Sequence, residues 1–198
     1  MASATKILVL ISGIALALQA AALYFMGQPP ICACGAVRLW VGTVLSPENS
    51  QQITDWYTPS HVIHGMLFFA LARQVLRNRW SLAVALTLAL GIEVTWELVE
   101  NSPMVIDRYR EQALAQGYSG DSILNSLSDT VAMLAGFWLA ARLPVRASIA
   151  LALVAELFTG VMIRDNLTLN VVQLLAPNKA ISAWQAEGGL YGASTDGE

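Results

Sequence analysis

An apolar run that starts at Trp80 and closes as Gly91-Ile-Glu-Val-Thr-Trp-Glu-Leu-Val-Glu-Asn-Ser-Pro103 restricts this chain more than any other feature, because it is long enough to cross a bilayer yet carries three carboxylates. Glu93, Glu97 and Glu100 are spaced i, i+4, i+7, which puts all three on one helical face. A carboxylate inside a bilayer is costly unless it faces protein, water or a cation. The run therefore predicts a transmembrane helix with a polar, functional side.

The rest of the chain agrees. It is 56% hydrophobic and only 13% charged, where an ordinary soluble domain has about a quarter of its residues charged. A net charge of -3 argues against nucleic acid as a partner, since that needs a basic patch. Apolar segments at residues 6–26, 59–77, 80–100, 121–141 and 146–164 predict an all-α, polytopic transmembrane helix bundle of about five spans, forming one membrane domain over residues 1–198. The first run is longer than a signal-peptide core and has no Ala-x-Ala-like end, so it reads as an uncleaved span. Between spans one and two, residues 27–58 read as a long interfacial loop, with Trp56 and Tyr57 suited to headgroup depth. Asp121 reads as the N-cap of the fourth span. Residues 171–176 are apolar but too short to cross, and the polar tail from Pro177 reads as loosely held.

Basic residues set the orientation. With the N-terminus in the cytoplasm, the inner segments hold Lys6, Arg73, Arg77, Arg79, Arg142 and Arg146 and no acid. Five spans then leave the C-terminus on the outer side, expected to be the periplasm. Asp55, His61, Glu97, Glu100, Asp107, Asp121 and Asp165 all fall at outer ends of spans. Glu93, Asp129 and Glu156 are each about 10–12 Å deeper, at one shared level.

Such a constellation suits a cation or a shared proton. One expectation is a divalent metal such as zinc on His61, His64, Glu97 and Asp121, with N and O donors that fit that ion. A metal-free expectation uses a carboxylate to orient His61 or His64 as general base, with His61, Glu97 and Asp121 as the catalytic acid/base groups. In both, Asp55, Glu93, Glu100, Asn125, Asp129 and Glu156 are supporting residues. Plainer readings stand beside these: a His at an interface that bonds a carbonyl, headgroup-level acids that are solvated, and Glu93 or Asp129 as interhelical hydrogen-bond partners. Asp107-Arg-Tyr-Arg110 reads as a surface salt-bridged loop ahead of a phosphate clamp. Cys32-Ala-Cys34 reads as plain thiols ahead of a disulfide or a metal ligand.

The chain resembles a bacterial family of uncharacterised multi-pass inner-membrane proteins. The motifs that carry the resemblance are Pro29-Pro-Ile-Cys-Ala-Cys-Gly35, Glu48-Asn-Ser-Gln51, Asp55-Trp-Tyr-Thr-Pro-Ser-His61, Glu100-Asn-Ser102, Ile106-Asp-Arg-Tyr-Arg110, Gly120-Asp-Ser122 and Ile163-Arg-Asp-Asn-Leu-Thr168. More remotely, Asp55 with His61, the Trp96-Glu97 helix end, and Gly120-Asp121 with Asn125 and Asp129 resemble VanZ-like membrane proteins in order. The first resemblance implies a multi-pass protein of the bacterial cell inner membrane. The second points toward envelope lipid or cell-wall chemistry.

Two functions are carried forward. One is an enzyme or resistance-type factor acting on a lipid or lipid-linked envelope substrate. The other is a non-catalytic binding or assembly protein whose acids hold a cation, a proton or a membrane-protein partner.

Overall fold

The computed structural model describes residues 2–188. Among these, every regular element is helical: α1 (Ala2–Met26), α2 (Thr58–Leu76), α3 (Leu82–Glu100), α4 (Pro103–Arg110), α5 (Ile123–Arg142), α6 (Val145–Ile163), α7 (Leu167–Leu175) and α8 (Lys179–Ala186). Four helices, α1 (from Thr5), α3, α5 and α6, are long and apolar enough to cross a membrane. α2 matches them in length but carries His61, His64 and Arg73.

The bundle is built around α2 and α5. Gly65 and Gly136 lie where these helices meet: a Cβ added to Gly65 would collide with the Met133 carbonyl, and one on Gly136 with the Val62 carbonyl. The backbones touch because neither position carries a side chain, which is how small residues bring membrane helices together. Contacts advance in step from His61 and Asp129 to Phe69 and Phe137, so the two helices run parallel. α3 runs antiparallel to α2, joined by the short turn Arg77–Arg79, with Phe69 and Arg73 on Trp80 at one end and His61 on Glu93 at the other.

Burial then divides the bundle by depth. One half is a close-packed apolar core of Ala72, Ala85, Leu86, Ala89, Leu90, Met133 and Phe137. The other half is polar and lies under a cap made of residues 27–57, α4, α7 and α8. The outer faces of α1 and α6 expose Leu10, Leu18, Phe25, Leu153, Leu157 and Val161, an apolar surface that water does not tolerate and a bilayer does.

The loop expected along the interface is partly buried and stitched onto the start of α5. Ile123 and Leu124 N–H groups donate to the carbonyls of Pro29 and Pro30, Ser122 to that of Ser50, and Asn125 Nδ2 to that of Gln52. Three expectations change. The N-cap of α5 is Ser122, whose Oγ accepts from Asn125 N–H at 3.1 Å, because Asp121 is held elsewhere. Cys32 and Cys34 form a disulfide, made possible by a turn in which the Gly35 N–H bonds the Cys32 carbonyl. The segment after Pro177 forms α8, anchored by Gln185 on Asp165 and by Arg164 on Glu187; residues 189–198 lie outside the described part.

Candidate functional site

α2 enters the bundle with Pro59 in its first turn, where a missing N–H costs nothing. One turn later it presents His61 and His64 to α3. Glu93, with no exposed surface, takes both rings: His61 Nδ1 lies 2.8 Å from Oε1 and His64 Nδ1 3.1 Å from Oε2. A carboxylate only accepts, so this pairing puts a proton on each Nδ1 and leaves each Nε2 as the free nitrogen. His61 Nε2 faces Asp129 of α5, whose Oδ2 is 3.8 Å away. The two rings meet edge to face, and His64 stacks on Phe68 and meets the edge of Trp96.

Next to this dyad lies a second group, entirely of oxygen. Glu97, Glu100 and Asp121 each offer a carboxylate oxygen within 4.8 Å of the others. Asp121 is fixed by a reciprocal pair with Asn101: its N–H donates to Asn101 Oδ1 at 2.7 Å while its Oδ2 accepts from Asn101 Nδ2 at 2.6 Å. Tyr118 donates to its other oxygen at 2.9 Å. Glu97 Oε2 accepts from Ser126 at 2.6 Å. Its Oε1 is buried without a hydrogen-bond partner among the described residues; the nearby His61 Nδ1, at 3.4 Å, is already committed to Glu93.

Above both groups opens a cavity of ≈ 400 Å³, lined by His61, His64, Glu100, Asp121 and Asp129 below and by Asp55, Tyr57, Tyr109, Tyr118 and Asp165 around the sides. That volume falls in the range of small-molecule sites. The walls are set by local structure. Asp55 accepts from the Ser50 and Tyr57 N–H groups, closing the turn into α2, and burial raises its carboxyl above the usual range despite those bonds. Tyr57 donates to Asp165 Oδ2 at 3.1 Å, and burial lifts the Asp165 carboxyl to about 7. Tyr109 on α4 donates to Asn170 on α7 at 3.0 Å.

The structure thus sorts the residues singled out in the sequence. His61, His64, Glu93 and Asp129 come together, and so do Glu97, Glu100 and Asp121; the quartet His61, His64, Glu97 and Asp121 divides between these two groups. Asp55 lines the cavity. Asn125 is used against the loop through Gln52. Glu156 is used elsewhere: its carboxylate receives the N–H groups of Leu167 and Thr168 and so caps α7. Asp107-Arg-Tyr-Arg110 lies on α4 rather than in a loop, with the salt bridges Arg108–Glu111 and Arg110–Asp107.

Sequence reasoning misses Gln19, Asn101 and the three tyrosines as members of the site. Gln19 is fully buried in α1, donates to Ser126 and accepts from Thr130 at 2.8 Å, and so supports the helix that carries Asp129. A lone amide inside a 21-residue apolar run is its only signal.

Comparison with known proteins adds family but not chemistry. A family model described as Protein of unknown function (DUF2585) matches residues 23–187. A UPF0314 protein of Sphingopyxis alaskensis is 55% identical over 179 residues, covering 90% of this chain and 95% of the relative. UPF0314 proteins of Rhizobium meliloti (55% identical, 86% of each chain) and Agrobacterium fabrum (54% identical, 86% and 85%) are similar over nearly the same length. No solved structure matches the chain.

Proposed function

Since this chain belongs to the DUF2585 family of uncharacterised bacterial proteins, its activity has to be argued from its site, and we propose that it acts on a lipid or lipid-linked envelope substrate at the outer face of the inner membrane. In this reading α2 is a fifth span, sheltered by its apolar neighbours, and the N-terminus is cytoplasmic. Lys6 and the Arg-rich Arg77–Arg79 turn support that orientation, and so does the Cys32–Cys34 disulfide in the cap, which suits an oxidising compartment.

The observation that carries the proposal is the Glu93–His61 pair at the floor of the cavity. Glu93 holds the ring and stabilises the cation formed on protonation, while Nε2 takes a proton from a hydroxyl or water of the bound substrate. Asp129, beside Nε2, favours the same charge. A cavity of ≈ 400 Å³ accommodates a headgroup and leaves acyl chains in the bilayer. The envelope as the source of substrate rests on the remote VanZ-like order of Asp55-His61, Trp96-Glu97 and Asp121-Asn125-Asp129.

The test is the envelope lipid profile, by mass spectrometry, of a bacterium lacking this protein and complemented with wild type or His61→Gln. A lipid or lipid-linked species should accumulate in the deletion strain, clear with wild type, and persist with His61→Gln, whose turnover is expected to be about 10²–10⁴-fold lower. Identical profiles with and without the protein would overturn the proposal.

A further inference from the structure

The all-oxygen group next to the His61 pair supports a separate conclusion that does not depend on the catalytic reading. We propose that Glu97, Glu100 and Asp121 bind one hard divalent cation of the Mg²⁺, Ca²⁺ or Mn²⁺ type. Their oxygens lie within 4.8 Å of one another, and ligands held at about 2.0–2.6 Å from one ion are separated by up to about 5 Å.

A cluster of acids alone would not justify a site. Glu97 Oε1 supplies the second observation: it is a buried acceptor on a residue 1% exposed, and no donor among the described residues hydrogen-bonds to it. An unsatisfied buried oxygen is costly, and a cation is the partner that removes that cost. No Lys or Arg does so: among the described residues none pairs with any of the three, the arginines that form ion pairs use Glu48, Asp107, Glu111 and Glu187, and the one imidazole near Oε1, His61 with Nδ1 at 3.4 Å, gives its hydrogen bond to Glu93 at 2.8 Å.

Neutral donors hold the other lone pairs in place. Asn101 and Tyr118 fix Asp121, and Ser126 fixes Glu97. This is the supporting shell that orients carboxylates around a metal. The donor set also selects the ion. It contains no thiolate, and the nearest imidazole nitrogen, His61 Nδ1, is bonded to Glu93. Carboxylate-only sites suit hard cations, not zinc. Glu100 and Asp121 line the cavity, so an ion can enter from its mouth and keep water on its open side.

Terbium luminescence tests this, because Tb³⁺ is a hard cation and Tyr118, bonded to Asp121, is a nearby sensitiser. Detergent-purified protein excited in its aromatic band should show saturable Tb³⁺ emission at one equivalent, displaced by Ca²⁺ or Mn²⁺. Glu100→Gln and Asp121→Asn should each weaken binding by about tenfold or more, while His64→Ala should leave it nearly unchanged. If the carboxamide variants fail to fold, a nitroxide on Gln116→Cys at the exposed cavity rim should be broadened by Mn²⁺ in an otherwise intact site. Any of three results overturns the proposal: no hard cation bound by folded wild type, unchanged affinity in both carboxamide variants, or binding abolished by His64→Ala.

Discussion

Gln19 lies about two turns before the end of α1, with no exposed surface, and makes three hydrogen bonds to α5, two to Ser126 and one to Thr130. In a bilayer each such bond is worth about 0.6 kcal/mol, so Gln19→Leu should lower stability by about 1–2 kcal/mol. The thermal midpoint in detergent reads this directly; an unchanged midpoint would mean that α1 docks by apolar packing alone. Asp165 sets a pH dependence. Its folded pKa of about 7 stands above the ordinary 3.8, so the folded state keeps a proton that the unfolded chain releases. Stability therefore falls as pH rises from about 4 to about 7 and then levels, losing at most about 1.4 kcal/mol for each step of one in pH. Asp165→Asn should flatten that part of the wild-type curve, and a curve of unchanged slope would contradict the assignment. The i, i+4, i+7 acids and both histidines were legible in the sequence because helical spacing is local. Their pairing was not. Which oxygen of Glu93 meets which ring, and that Glu156 caps α7 instead of joining Asp129, depends on helix rotation and on a chain reversal that spacing does not encode.

At the scale of elements, the parallel crossing of α2 and α5 brings His61 and Asp129 to the same cavity floor. Gly136→Ala would push a methyl group into the Val62 carbonyl, and overpacking of this kind costs about 3 kcal/mol or more when the backbone itself is the obstacle. Size-exclusion profiles should show loss of the monodisperse protein. Gly91→Ala, where nothing lies within 4 Å, should behave as wild type. Normal behaviour of Gly136→Ala would mean that the crossing is looser than described. Helix positions were readable from apolar runs. The cap was not, because residues 27–57 are held by loop carbonyls such as Pro29, Pro30 and Gln52 donated to from α5, which have no side-chain signature. The N-cap expectation fell on Asp121 for the same reason: Asn101, twenty residues earlier, claims that side chain and leaves the cap to Ser122.

For the whole molecule, the proposed orientation puts the polar half of the bundle and its cap outside the cell membrane and the Arg-rich turn between α2 and α3 inside. α2 packs against α3, α5 and α6, while α1 packs on α3 and α5, so the polar residues that weaken α2 as an isolated span are shielded by protein. The proposed function stands or falls with a cavity over His61 that opens to the periplasm. The decisive experiment labels single cysteines, on a background with Cys32→Ser and Cys34→Ser, using a charged, membrane-impermeant maleimide on intact spheroplasts. Gln116→Cys, at the exposed cavity rim, should react at once, and Asn78→Cys, exposed in the Arg77–Arg79 turn, only after permeabilisation. The reverse pattern, with Asn78→Cys labelled and Gln116→Cys protected, would turn the site toward the cytoplasm and contradict the proposed orientation.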